Sequence, residues 1–111
     1  MNVSSDSGSG ISKVPTLTGV GNYFQWMRAI SPILLSFRAL LIVEGKDACP
    51  KLSPVPTSTE IKASEAWKDR DAKAMGFIDQ TVSPALYAMI KNLTSSAAKW
   101  EHLSKLNNLK T

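Results

Sequence analysis

The sequence predicts an all-α domain, a compact bundle of four to five helices, on three observations. Trp26, Trp67 and Trp100 each sit in an apolar stripe of helical period. No segment of useful length alternates as a strand does, and Ser, Thr, Asn and Pro fall where helices start. A buried tryptophan takes about 150–250 Å² out of water, an upper bound of about 4–6 kcal/mol at about 25 cal/mol per Å². Three such rings are expected to hold the domain together. The 111 residues fit one domain with a single core.

Residues 1–13, rich in Ser, Gly, Asn and Asp, read as a disordered tail, with the domain at 14–111. Val14 to Gly19 is an extended approach in which Pro15 and Gly19 block helix. Asn22 is placed to accept from a first-turn N–H as an N-cap, so the first helix starts at Tyr23. Trp26, Ile30, Ile33, Phe37 and Leu40 then form one face, widened by Tyr23, Met27, Leu34 and Leu41. Pro32 interrupts this pattern, and a kink or break is expected at Ser31, with Ser31 capping a new segment. Gly45 is a left-handed C-cap. Pro50, Pro54 and Pro56 make residues 46–57 an extended loop.

Thr57 and Glu60 have capping-box spacing, so a second long helix runs from Thr57 or Ser58 to about Thr81. Trp67, Asp71, Ala74, Met75 and Ile78 share a face. Asp71, an acid in an apolar stripe, either reaches water at a narrow point or is buried and ties two helices together. In the second case it accepts from an indole or a free backbone N–H. Ser83 and Pro84 start a short helix carrying Leu86, Met89, Ile90 and Leu93 and ending near Asn92. A last helix follows Thr94-Ser95-Ser96, with Trp100, Leu103 and Leu106 inward and Lys99, Lys105 and Lys110 elsewhere. The expected core is Tyr23, Trp26, Ile30, Trp67, Asp71, Ala74, Ile78, Trp100 and Leu103.

Composition bounds the chemistry. The apolar fraction is 43% and the charged fraction 20%, ordinary values for a folded domain. Thirteen basic against nine acidic residues leave +4, enough for weak contact with polyanions. The single cysteine, Cys49, forms no intrachain disulfide, and the expected compartment is the reducing cytoplasm. No secretory signal is visible. The most apolar run, Ile33 to Val43, carries Ser36 and Arg38 and falls far short of the roughly 20 residues of a membrane span.

No catalytic constellation is visible either. His102, the only histidine, cannot build a metal site with Cys49 alone, and no motif supports the two as nucleophile and base. Asp69 and Asp71 fall on different helix faces, and Gly19-x-Gly21 lacks the rest of a dinucleotide fingerprint. The chain is expected to be no enzyme and to use no metal or cofactor.

Several motifs together resemble one family. Leu17-Thr18-Gly19 followed by Asn22-Tyr23 and Trp26, then Trp67 with Asp71, Ala74 and Ile78, then Leu86 and Ile90 after the Ser83-Pro84 turn, and Ser95 with Trp100 and Leu103, resemble the N-terminal part of Gag from copia-type LTR retrotransposons. The likeness runs from about Val14 to Leu106. It departs from the family at Pro32 and at Ser95-Ser96, where Thr-Ala is usual. The resemblance implies a helical lobe similar to a capsid N-terminal domain, which assembles into rings or lattices around element RNA and has no catalytic role. The zinc knuckle, protease, integrase and reverse transcriptase motifs of an element are not in this sequence, which implies an excised domain, a degenerate copy or a short Gag-derived protein.

Three functions follow as expectations. The first is self-association, or docking on full-length Gag, where weak contacts add over a lattice; a chain without a second lobe is expected to dock and stop growth. The second is weak, salt-sensitive RNA contact through Lys62, Lys68, Arg70 and Lys73, although Glu60, Glu65, Asp69 and Asp71 are interleaved with them as on a solvated face. The third is a groove for a partner peptide. Phe24, Phe77 and Tyr87, each off its helix's main stripe, are the candidates for an exposed interface.

Overall fold

The computed structural model describes residues 13–107, so the expected tail lies almost wholly outside the described residues, as does Lys110. A short 3-10 turn, Val20–Asn22, precedes five α-helices: α1 Tyr23–Ser36, α2 Leu40–Val43, α3 Ser58–Gln80, α4 Pro84–Ile90 and α5 Ser96–Asn107. The chain is an all-α bundle, as expected. Among the described residues the only strand-like pairing is an isolated parallel bridge between Leu17 and Val82. The Leu17 N–H donates to the Thr81 carbonyl at 2.7 Å, and the Ser83 N–H donates to the Leu17 carbonyl at 2.9 Å. The N-terminal approach is thereby pinned to the α3–α4 junction.

α1 begins at Tyr23 as expected, but Asn22 does not cap it. Its side chain turns back, with Oδ1 accepting from the Thr18 N–H (3.0 Å) and Nδ2 donating to the Thr16 carbonyl (2.8 Å). Asn22 therefore shapes the approach rather than the helix end. Nor does the chain break at Ser31. Pro32 lies inside a continuous α1, and the Ser31 hydroxyl donates to the Met27 carbonyl at 2.7 Å. Arg28 and Pro32 are both exposed, so the carbonyl left without its N–H partner faces water and the helix continues.

The turn comes at Phe37 and Arg38 instead. Arg38 is left-handed, φ 69°. Its N–H donates to the Leu35 carbonyl (3.0 Å), and that of Ala39 to the Leu34 carbonyl (2.8 Å), the two bonds of a Schellman ending. Leu34 and Ala39 are both fully buried and supply its hydrophobic contact. After α2, Gly45 at φ 79° ends the helix as the sequence predicts.

The capping box of α3 forms in full. The Glu60 N–H donates to Thr57 Oγ1 (3.1 Å) and the Thr57 N–H to Glu60 Oε1 (2.9 Å). Ser83 caps α4, its Oγ accepting from the Leu86 N–H at 3.3 Å.

The core is centred on Trp26, which is completely buried among Leu17, Ile30, Leu34, Ile78, Ile90 and Leu103. Its indole N–H donates to Thr81 Oγ1 at 2.9 Å, and that hydroxyl donates to the Phe77 carbonyl at 2.8 Å. The three tryptophans do not share one role. Trp100 is half-buried, its ring centroid 5.4 Å from that of Trp26. Trp67 lies outside the core cluster: it is half-buried, and its indole N–H donates to the Asp47 carbonyl at 2.9 Å, fastening the 46–57 loop to α3. An indole that serves a loop obeys the same spacing as one that serves the core, so the pattern cannot separate them.

α5 is turned from its expected orientation. Its buried residues are Ser96, Lys99, Leu103 and Asn107, whereas Leu106 is exposed. Three of those four positions are polar, so apolar periodicity points to the neighbouring line of residues. Two polar ties explain the choice. Asp71, buried on α3, accepts at Oδ1 from the Ser96 N–H (3.0 Å) and the Ser96 hydroxyl (2.5 Å). Lys99, 2% exposed, reaches Asp79 Oδ1 at 3.1 Å and donates to the Ile90 carbonyl at 3.0 Å, at the last residue of α4. Lysine therefore closes the C-terminus of one helix while aspartate holds the N-terminus of another, the signs the helix dipole favours.

Candidate interaction surface

With the core closed by these ties, the outer faces carry what is left for function. A cleft of about 560 Å³ opens between α1 and α3, lined by Ile33, Phe37, Lys73, Gly76 and Phe77 among others. Phe37 and Phe77 face each other across it, centroids 5.1 Å apart and planes at 59°, and Lys73 Nζ lies 5.9 Å from the Phe37 ring centroid. Phe77, expected to be exposed, is partly buried against the core by this pairing. Phe24 and Tyr87 are exposed as expected, Phe24 edge-on to Tyr23 at 5.4 Å.

A second depression, about 300 Å³, sits over the turn that ends α1. Leu35, Arg38, Leu40, Leu41, Asp47 and Arg70 line it. Leu35 is 62% and Leu41 52% exposed. Arg70 reaches across from α3, donating from Nη1 to the Arg38 carbonyl at 2.9 Å and lying 3.6 Å from Asp47 Oδ2. Sequence reasoning missed this patch. Its turn carries neither Gly nor Asn, the residues that ordinarily announce a left-handed position, and without the turn Leu35 reads as an outer helix residue.

Of the four basic residues expected to meet RNA, Lys62, Arg70 and Lys73 fall within about 80° of one another round α3 and Lys68 lies apart. Arg70 is occupied by the Arg38 carbonyl and Asp47, and Lys73 lies over Phe37. Lys62 and Lys68 are exposed but about 120° apart round α3 at about 100° per residue.

At the start of α3, Glu60 is held by the loop. The Ser53 hydroxyl, which donates to Oε1 at 2.8 Å, and then the Thr57 N–H keep its carboxyl below the usual value of 4.5. Cys49 is half-buried with Sγ 3.7 Å from Ser64 Oγ. His102 lines a shallow hollow with Leu93, Ala98, Glu101 and Lys105. Among the described residues, no group of three or more His, Cys, Asp or Glu side chains is placed to hold a metal ion, and no helix is long and apolar enough to cross a membrane. In comparisons with protein families, characterised proteins and solved structures, the chain matches none.

Proposed function

We propose that this chain is a non-enzymatic interaction domain of the retrotransposon Gag type, acting in the cytoplasm by docking on copies of itself or on full-length Gag during assembly of capsid-like particles. It needs no metal or cofactor for this. The reading rests on the resemblance of its Trp-centred motifs and on one structural observation: Leu35 and Leu41, each more than half exposed, flank Arg38 in a single depression. Isolated exposed leucines are ordinary on a protein surface, but two beside a basic side chain in one hollow suit a protein contact. A weak contact of this kind gains strength by repetition.

RNA contact ranks below it, because two of the four candidate cations are engaged within the chain. The test is mass in solution by light scattering behind size exclusion, over a concentration series at two salt levels. The expected result is a mass that climbs with concentration from the 12.0 kDa monomer. A monomer at every concentration, with salt-sensitive RNA binding, would reverse the ranking.

A further inference from the structure

Arg38 is the one non-glycine residue with positive φ among the described residues, at 69°. Glycine holds such a turn without a Cβ clash, so an arginine there is strained. Backbone strain of this kind collects where a side chain has a use. Within the chain only the Arg38 backbone is used, its N–H by the Leu35 carbonyl and its carbonyl by Arg70. The guanidinium is exposed and, among the described residues, forms no ion pair. It shares its hollow with Leu35, Leu40 and Leu41, and the Asp47 carboxylate that also lines it is turned to Arg70 at 3.6 Å.

The complementary surface lies on the same molecule. Ile61, Glu65 and Asp69 follow at four-residue intervals along α3, one face of a helix, and all three are exposed. Neither acid is within ion-pair distance of a cation; Lys62 and Lys68 flank the stripe without closing on it. At about 100° per residue, the two acids lie about 100–140° round α3 from Arg70, which marks the Arg38 side. The basic and acidic patches therefore look in different directions.

Resting on the self-association reading, we propose that a second copy of this chain docks its stripe of Ile61, Glu65 and Asp69 on the face formed by Leu35, Arg38 and Leu41. Charge complementarity between Arg38 and the two acids, none of them in an ion pair among the described residues, selects this partner, with leucine and isoleucine supplying the apolar contact. Because the two patches differ, the contact is head-to-tail, and it continues into rings or open chains.

The test uses the full chain and two variants, Arg38→Gly and the double variant Glu65→Lys, Asp69→Lys. Arg38→Gly is expected to melt at a higher temperature than wild type, since the strained turn is relieved, and yet to lose the concentration-dependent rise in mass. The acid variant is expected to stay monomeric as well. Mixed in equal amounts, each variant still offers the other one intact face, so the mixture forms dimers near twice 12.0 kDa and stops there. Variants that associate like wild type would overturn the proposed faces while leaving self-association standing, and a mixture that stays monomeric would overturn the pairing. A wild-type chain monomeric at every concentration would remove the reading beneath both, including the case in which only an acidic peptide of another protein binds Arg38.

Discussion

Asp71 holds the N-terminus of α5 from a different helix: one carboxylate oxygen accepts both the backbone N–H and the hydroxyl of Ser96, 25 residues further along the chain. Ser95 completes the end, its Oγ accepting from the Ala98 N–H at 3.1 Å. The two serines divide the work, Ser95 capping within its own helix and Ser96 joining α5 to α3. The buried reading of Asp71 is thus the one the fold uses, with a backbone N–H and a hydroxyl as donors.

Asp71→Ala leaves the Ser96 N–H and hydroxyl unpaired in a buried place and is expected to cost about 2–4 kcal/mol. Asp71→Asn keeps an acceptor and is expected to cost less. Urea unfolding of both, set in a double-mutant cycle with Ser96→Ala, measures the coupling; a melting temperature for Asp71→Ala equal to wild type would contradict the tie.

Lys99 presents the opposite sign at the end of α4. Removing it takes one of two donors from the Ile90 carbonyl, which keeps the Leu93 N–H at 3.0 Å, and leaves Asp79 without its cation. Asp79 retains 29% side-chain exposure and recovers some hydration, so Lys99→Ala is expected to cost about 2–3 kcal/mol, less than the loss of about 3–5 kcal/mol for a fully buried pair. Replacing Asp79 by Asn in the same chain should recover part of that loss, read as a higher midpoint in denaturant than the single variant.

The Glu60 box predicts a pH dependence with a definite sign. Its carboxyl is held below 4.5 in the folded chain by Ser53 and then Thr57, so on acidification the unfolded chain takes up this proton first. The contribution is present above about pH 4.5 and is lost as pH falls through the lower folded value. In thermal melts from pH 6 down to pH 3, wild type is expected to lose more stability than Glu60→Gln. Identical slopes would show that the charge on Glu60 contributes nothing.

Two helix starts were legible in the sequence from local rules, whereas the caps read at Asn22 and Ser31 do not form. Thr57 with Glu60, and Ser83 with Pro84, need only residues three apart or adjacent, and both form as read. The core face of α1 was legible in part: Trp26 and Ile30 are buried as read, but the buried line runs on through Tyr23 and Leu34, while Ile33, Phe37 and Leu40 are half-buried and Leu41 is exposed. The inner face of α5 was not, because Ser96, Lys99 and Asn107 are buried by partners on other helices that no pattern in their own segment reveals. The turn at Arg38 was hidden in the same way: it is set by burial of Leu34 and Ala39 and by Arg70 from α3, not by a turn residue. The candidate surface followed the turn. Phe24 and Tyr87 were readable as exposed, while the patch over Arg38 required knowing where α1 ends.

Hydrogen exchange read by mass spectrometry at low and high protein concentration tests the central claim, that this domain works by contact with its own copies, most directly. Amides of the α1–α2 turn around Arg38, and those of α3 near Glu65 and Asp69, are expected to exchange more slowly at high concentration, while the Ser96 amide, already tied to Asp71, stays unchanged. Exchange at these segments that is the same at every concentration would contradict the account.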